Sequence, residues 1–389
     1  MVIVGLLLFV GACTGHAVCC VAGLNWLYGL ALPRRLLKAM RGLDALLILA
    51  GPVVFWGAFG FDLVPVLGQR PEDGWHQALA VYAMLCWAAG FGMLPPVTLA
   101  RWRRRRPAAL LSNHTDTVDV SARLGFKPAG RGKYRLLARL PANEVFRVDL
   151  SVRTFRLPAL PPAWDGLSIL HLSDLHLCGT PDRAFYDHVM DLCRDWQPDL
   201  IALTGDIVDS DEHHRWIVPV LGRLRWRVGA FAVLGNHDFW HEPGLVRRRL
   251  RRLGFHVLGN GWTQVSWRGE RLTVIGHEGP WFRPGPDLSA CPSAGFRLCL
   301  SHTPDNIRWA RRHGIHLMLA GHTHGGQVRF PVIGSVFVPS RHGRRYDCGT
   351  FHEPPTVLHV SRGLAGQQPL RYGCRPEVTK IVLQAGTRA

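Results

Sequence analysis

Residues 2–32 contain no Asp, Glu, Lys or Arg. An uncharged apolar run of this length exceeds the roughly 20 residues an α-helix needs to cross a bilayer. Core helices of soluble proteins rarely stay uncharged for so long, so the run predicts a transmembrane span. Residues 45–61 and 78–100 are also free of charge; Asp44 and Asp62 bound the first of these, whose apolar character continues to Leu67. Three spans are therefore expected within a membrane region of residues 1–106. Val10-Gly11-Ala12-Cys13 loosely matches a lipoprotein cleavage site. No basic segment precedes it, however, and the apolar run continues past Cys13, which favours a span.

The flanks set a direction. Arg34, Arg35, Lys38 and Arg41 separate the first two spans, and Arg101 with Arg103 to Arg106 follows the third. The loop between spans two and three has Arg70 against Glu72 and Asp73. Basic flanks stay on the cytoplasmic side, so the pattern predicts a multi-pass inner-membrane protein with residues 107–389 in the cytoplasm. These arginines also account for much of a net charge of +18. Only Lys38, Lys127, Lys133 and Lys380 are lysines, and no aromatic RNA-binding segment or DNA-reading motif accompanies the arginines, so no nucleic-acid partner is expected. The ten cysteines show no CxxC spacing and are expected to be reduced.

Residues 107–164 read as a connector, with a weakly alternating stretch at 147–157 that suits an edge strand before Pro158, Pro161 and Pro162. From residue 165 onward, short apolar runs alternate with amphipathic ones. Strands are expected at 167–172, 200–203, 229–234, 272–275, 296–300, 317–320, 357–360 and 378–383. Helices are expected at 182–196, 217–224, 243–253 and 305–313. Such alternation predicts a layered α/β sandwich.

Five polar clusters follow five of these strands: Asp174-Leu175-His176, Gly205-Asp206-Ile207-Val208-Asp209, Gly235-Asn236-His237-Asp238, Ser301-His302 and Gly321-His322-Thr323-His324. Loops at the C-terminal ends of strands line the crevice of an open α/β sheet. The clusters bring carboxylates, imidazoles and an amide to that crevice, as a pair of divalent cations with a shared carboxylate requires. The glycines before Asp206, Asn236 and His322 suit tight turns with unusual φ. A lone histidine in a core is more often satisfied there than a ligand; five clusters in this order are not lone residues.

These five motifs resemble those of the calcineurin-like metallophosphoesterases over residues 165–385. His171-Leu172-Ser173-Asp174-Leu175-His176, Ser301-His302-Thr303-Pro304-Asp305, Gly321 to Gln327 and Arg371 to Glu377 resemble the membrane-anchored bacterial branch. The resemblance implies a four-layer α/β/β/α sandwich at 165–389 and two divalent metal ions (Mn, Fe, Zn or Co). It implies that Asp174, His176, Asp206 and His324 hold one metal. Asp206, Asn236, His302 and His322 would hold the other, with Asp206 bridging. His237 would act on the phosphate, and Asp209 would orient His237. The implied activity is hydrolysis of a phosphoester or pyrophosphate by metal-activated water. The spans point to a lipid-linked substrate at the cytoplasmic leaflet, and relatives of this kind include a UDP-2,3-diacylglucosamine pyrophosphatase of lipid A synthesis. Two other readings are a general phosphodiesterase or phosphatase on soluble substrates and a non-catalytic metal-binding scaffold. The complete ligand set opposes the last.

Overall fold

A computed structural model describes residues 2–61 and 74–386. The chain divides into two compact units between Arg105 and Arg106. In the first unit, the helices Val2–Tyr28, Arg34–Phe59 and Gly74–Trp102 are each long and apolar enough to cross a membrane. The second of these starts before its uncharged stretch, so Arg34, Arg35, Lys38 and Arg41 occupy its first turns. The third contains a π-helical turn at Ala89–Met93. Close helix packing makes one glycine obligatory here, because a Cβ on Gly15 would lie 1.5 Å from the Cys86 carbonyl oxygen. The expected loop with Arg70, Glu72 and Asp73 lies outside the described residues.

The second unit contains two sheets. The first takes β1 (Leu110–Asp119), β2 (Arg147–Leu157), β3 (Ser168–Leu172), β4 (Leu200–Thr204), β5 (Gly229–Val233), β6 (His256–Val257) and, from far along the chain, β15 (Glu377–Ala385). Their order is β1-β2-β15-β3-β4-β5-β6. The second sheet takes β7 (Trp262–Trp267), β8 (Glu270–His277), β9 (Phe296–Ser301), β10 (Leu317–Ala320), β13 (Gly349–Glu353) and β14 (Thr356–Val360), in the order β13-β14-β10-β9-β8-β7. A small hairpin of β11 (Arg329–Phe330) and β12 (Gly334–Ser335) stands apart from both.

Alternation along the strands builds the layers. In β3, Ile169 points into an inter-sheet core with Phe231, Val274, Leu298, Leu319 and Ile381. Its neighbours Leu170 and Leu172 point the other way, onto Phe185, Val189, Leu221 and Leu250 of the covering helices. On the far face of the second sheet, Met318 and Leu358 meet Ile307 and Ala310 of the helix Ile307–Arg312. The result is the four-layer α/β/β/α sandwich. The helix expected at 182–196 runs over Arg183–Asp195, and Asp182 caps it by accepting from the Phe185 N–H at 3.2 Å. The helix expected at 305–313 is shortened by a 3₁₀ turn at Pro304–Asn306.

Two expectations need correction. Residues 147–157 form β2, which is not an edge strand because β1 lies outside it. The stretch read as a connector, 107–164, therefore supplies two of the seven strands in the first sheet. β1 carries no strand signal in the sequence because it is exposed and polar along most of its length, with no buried face to impose alternation. Polar cross-strand pairs accompany its ladder, including Thr115 Oγ1 to Ser151 Oγ at 3.0 Å and Thr117 Oγ1 to Asp149 Oδ1 at 2.7 Å. All ten cysteines are free thiols.

Candidate metal centre

Strands β3, β4 and β5 are parallel, as are β9 and β10, so the five polar clusters sit at the C-terminal strand ends of the two facing sheets. The chain bends sharply there. Asp174, His176, Asp206, His322 and His324 all have positive φ, between 44° and 72°. Left-handed backbone at non-glycine residues costs of order 1–3 kcal/mol each and concentrates at functional sites. The preceding glycines serve two different purposes. Gly205 does adopt a left-handed conformation, with φ of 91°. Gly235 and Gly321 are required for space instead: a Cβ would lie 2.2 Å from Asp206 Oδ1 at the first and 1.8 Å from Ser173 Oγ at the second.

These turns bring the sequence-predicted residues together. Ligand atoms of Asp174, His176, Asp206 and His324 lie within 4.8 Å of one another, as do those of Asp206, His302 and His322. Asn236 joins the second group, its Oδ1 lying 3.0 Å from His302 Nε2. Asp206 is common to both. A third group of His176, Asp209 and His237 has similar spacing. Both of its imidazoles already turn Nδ1 to the Asp209 carboxylate, so it reads as a hydrogen-bond relay. His176 Nδ1 lies 2.8 Å from Oδ2, and His237 Nδ1 contacts Oδ1.

The donor chemistry fits cations. His176 Nδ1 faces Asp209, and His324 Nδ1 faces the Ala365 carbonyl at 3.1 Å, which assigns the Nδ1 proton to each ring. Their Nε2 lone pairs then confront each other at 3.1 Å, a repulsive arrangement without a positive charge between them. His302 Nδ1 likewise faces the Thr204 carbonyl at 2.8 Å, which leaves its Nε2 lone pair against Asn236 Oδ1. Among the described residues, buried His322 Nε2 has no hydrogen-bond partner.

Electrostatics point the same way. Burial opposes charge on His176, but Asp209, Asp206 and Asp174 outweigh it and raise the imidazole to about 9. His302 is raised to about 9 against its burial, mainly by Asp206. Burial and the neighbouring His302 hold His322 well below its ordinary range, and burial with His176 does the same to His324. Asp206 is held low despite burial by His302 and His237. The buried carboxylates here favour positive charge beside them.

Several supporting residues carry no signal in a spacing pattern. Asp238, fully buried, accepts from the Ile207 and Val208 N–H groups through Oδ1 and from Gly235 N–H through Oδ2, which welds the Asp206 loop to the Asn236 loop. Arg371, also buried, donates to the carbonyls of His324 and Arg362 at 3.1 and 2.8 Å and to that of Ala365. Trp281 packs against the His322 and His302 rings, with centroids 4.9 and 5.5 Å away. Asp238 and Arg371 lie within the Gly235–Asp238 and Arg371–Glu377 motifs, but only their contacts reveal a task.

A family model described as calcineurin-like phosphoesterase matches residues 167–326. The chain is 30% identical over 251 residues to the uncharacterized metallophosphoesterase YkuE of Bacillus subtilis, covering 62% of this chain and 87% of that one. It is 32% identical over 220 residues to phosphodiesterase YaeI of Escherichia coli, covering 55% and 81%. It is also 27% identical over 346 residues to a transmembrane protein with metallophosphoesterase domain of Bos taurus, covering 80% and 73%.

Proposed function

The chain belongs to the calcineurin-like metallophosphoesterase family and is a metal-dependent phosphoric ester hydrolase, and from that premise we propose that it cleaves a lipid-linked phosphoester or pyrophosphate at the cytoplasmic leaflet of the inner membrane. The observation that carries this reading is the union, in one chain, of three membrane-length helices with two ligand groups that share Asp206. A catalytic unit joined to spans meets bilayer-resident substrates at high effective concentration.

Asp174, His176, Asp206 and His324 would hold one metal; Asp206, Asn236, His302 and His322 would hold the other. When bound, two divalent cations, for which Mn, Fe, Zn and Co all suit mixed nitrogen and oxygen donors, supply charge for the phosphoryl oxygens and acidify water for attack. The residues around them do the rest. Asp206 Oδ1 accepts the His237 N–H at 2.8 Å, which fixes the turn that carries the imidazole. His237 Nε2 lies 3.9 Å from Asp206 Oδ2, so it faces the same space as the ligands. It hydrogen-bonds a phosphoryl oxygen and protonates the leaving oxygen, while Asp209 on Nδ1 stabilises the charge the ring takes on.

The specific activity favoured is UDP-2,3-diacylglucosamine pyrophosphatase, a lipid A step whose substrate is both amphiphilic and cytoplasmic-facing. A second reading, a general phosphodiesterase on soluble substrates, is favoured by the name of the Escherichia coli relative. Purified full-length protein with Mn²⁺ is to be screened on UDP-2,3-diacylglucosamine, phospholipids and soluble phosphodiesters. Turnover of the soluble diesters alone would sink the lipid-linked reading and leave the second. Orientation is tested by a C-terminal reporter active only outside the cytoplasm: it should stay silent, and a strong signal would overturn both the cytoplasmic placement and the lipid A assignment.

A further inference from the structure

The segment leaving the His322–His324 loop is apolar where it meets solvent. β11 and β12 pair Arg329 with Ser335 and Phe330 with Gly334. Phe330, Pro331, Val332 and Ile333 run to the turn, and all four are exposed, Val332 to 62%. Four consecutive exposed apolar residues mark either a fault or a contact surface. Val332 also has a φ of 68°, an outlying conformation for a β-branched residue and a second sign that the tip is held for a purpose.

The hairpin is fastened to the metal centre. Ser335 Oγ donates to Asp347 Oδ2 at 2.6 Å, and Arg329 Nη1 donates to the same oxygen at 3.1 Å and to the Gly325 carbonyl at 3.0 Å. The Asp347 carbonyl accepts from Thr323 Oγ1, between the two ligand histidines, at 2.6 Å. A Cβ on Gly326 would lie 2.5 Å from the Ser335 Cβ, so the hairpin seats on the ligand loop itself. The segment itself is basic. Residues 328–346 include Arg329, Arg341, Arg344 and Arg345 and no Asp or Glu. The Arg341 and Arg345 side chains are 51% and 65% exposed, although Asp305 and Glu353 lie within reach of them. Arg344 donates to the Ile333 carbonyl and so stands at the hairpin turn.

We propose that this hairpin is a membrane-docking element. Its Phe330–Ile333 tip enters the headgroup–acyl boundary of an anionic bilayer, and the neighbouring arginines meet lipid phosphates. The occupant is a bilayer because an apolar tip beside the exposed Arg341 and Arg345 complements an anionic lipid surface, and because the same chain carries three helices of membrane-spanning length. Docking would hold the His322–His324 loop at the headgroups. That deepens the lipid-linked reading above and rests on it for its consequence in turnover.

The test uses the full chain in phosphatidylcholine nanodiscs with and without phosphatidylglycerol. p-Benzoylphenylalanine is placed at Val332, at exposed Arg268 in the β7–β8 turn, and at exposed Leu46 in a span as the positive control. Docking predicts lipid photo-adducts from positions 332 and 46, with the 332 adduct strengthened by phosphatidylglycerol, and none from 268. Adducts from 332 to a second copy or another protein, equal adducts from 332 and 268, or lipid adducts from 46 alone would each overturn it. In parallel, Phe330→Ser with Val332→Ser should slow hydrolysis of vesicle-presented substrate by about tenfold. Hydrolysis of bis(p-nitrophenyl) phosphate should be unchanged, which also reports correct folding. Lipid adducts without turnover of any lipid phosphoester would leave docking standing and reject the substrate class. Turnover of a lipid phosphoester without adducts from 332 would do the reverse.

Discussion

Replacing Asp209 with Asn tests the centre most sharply, because this carboxylate serves two rings. Its Oδ2 lies 2.8 Å from His176 Nδ1, its Oδ1 contacts His237 Nδ1, and its side chain is buried. In the proposed mechanism His176 serves a metal and His237 the phosphate. Asp209→Asn keeps the shape but supplies one acceptor and one donor, so only one ring can keep its Nδ1–H bond. If His176 meets the amide N–H, its proton moves to Nε2, the atom 3.1 Å from His324 Nε2, and a ligand lone pair is lost. If His237 meets it, the charged form of that imidazole loses its counter-ion. Loss of a carboxylate behind a ligating histidine typically weakens metal binding about 10–100-fold, or about 1.4–2.7 kcal/mol. Metal content after dialysis against buffered Mn²⁺, and kcat at saturating metal, separate the two effects. We expect weaker metal binding together with a kcat loss smaller than that from removing His237. Metal affinity and kcat both within about twofold of the parent would refute the shared role.

Asp206→Asn should abolish activity and lower metal content, since both ligand groups use this carboxylate; full occupancy with normal turnover would reject the bridging assignment. His237→Asn should keep two metals bound and lower kcat by about 10²–10⁴-fold, less for substrates with good leaving groups; an unchanged kcat, or metal loss equal to that of Asp206→Asn, would count against proton transfer. Burial holds His277 down at about 4, with Nδ1 accepting from Gly279 N–H at 3.2 Å and Asn306 Nδ2 at 3.1 Å. The unfolded chain takes up this proton near pH 6.5 and the folded one only near 4, so the contribution to stability is full above 6.5 and is lost as pH falls through that window. At pH 5 the loss is about 2 kcal/mol, and melts of His277→Gln at pH 7 and 5 should show a flatter dependence; an unchanged slope would dismiss it.

The sequence alone determined whatever depends on neighbours in the chain. Uncharged runs needed only their length and apolar character to specify helices long enough to cross a membrane. Buried strands such as β4 and β10 showed as short apolar runs because both faces of each are covered. The order of the carboxylates and imidazoles after those strands was legible because strand ends place them. Tertiary structure decided everything that rests on pairing between distant segments. β15 enters between β2 and β3, parallel to one and antiparallel to the other, which apolar spacing cannot encode. β1, polar and exposed, joins the sheet chiefly through its backbone ladder and cross-strand polar pairs. Asp209 has a second imidazole and Asp238 ties two loops together because backbone N–H groups and ring nitrogens buried by the fold must find acceptors wherever the chain brings them. The left-handed turns at Asp174, Asp206 and His324 follow from the same cause: two facing sheets hold the loop ends in place, and that constraint exists only once both sheets are assembled.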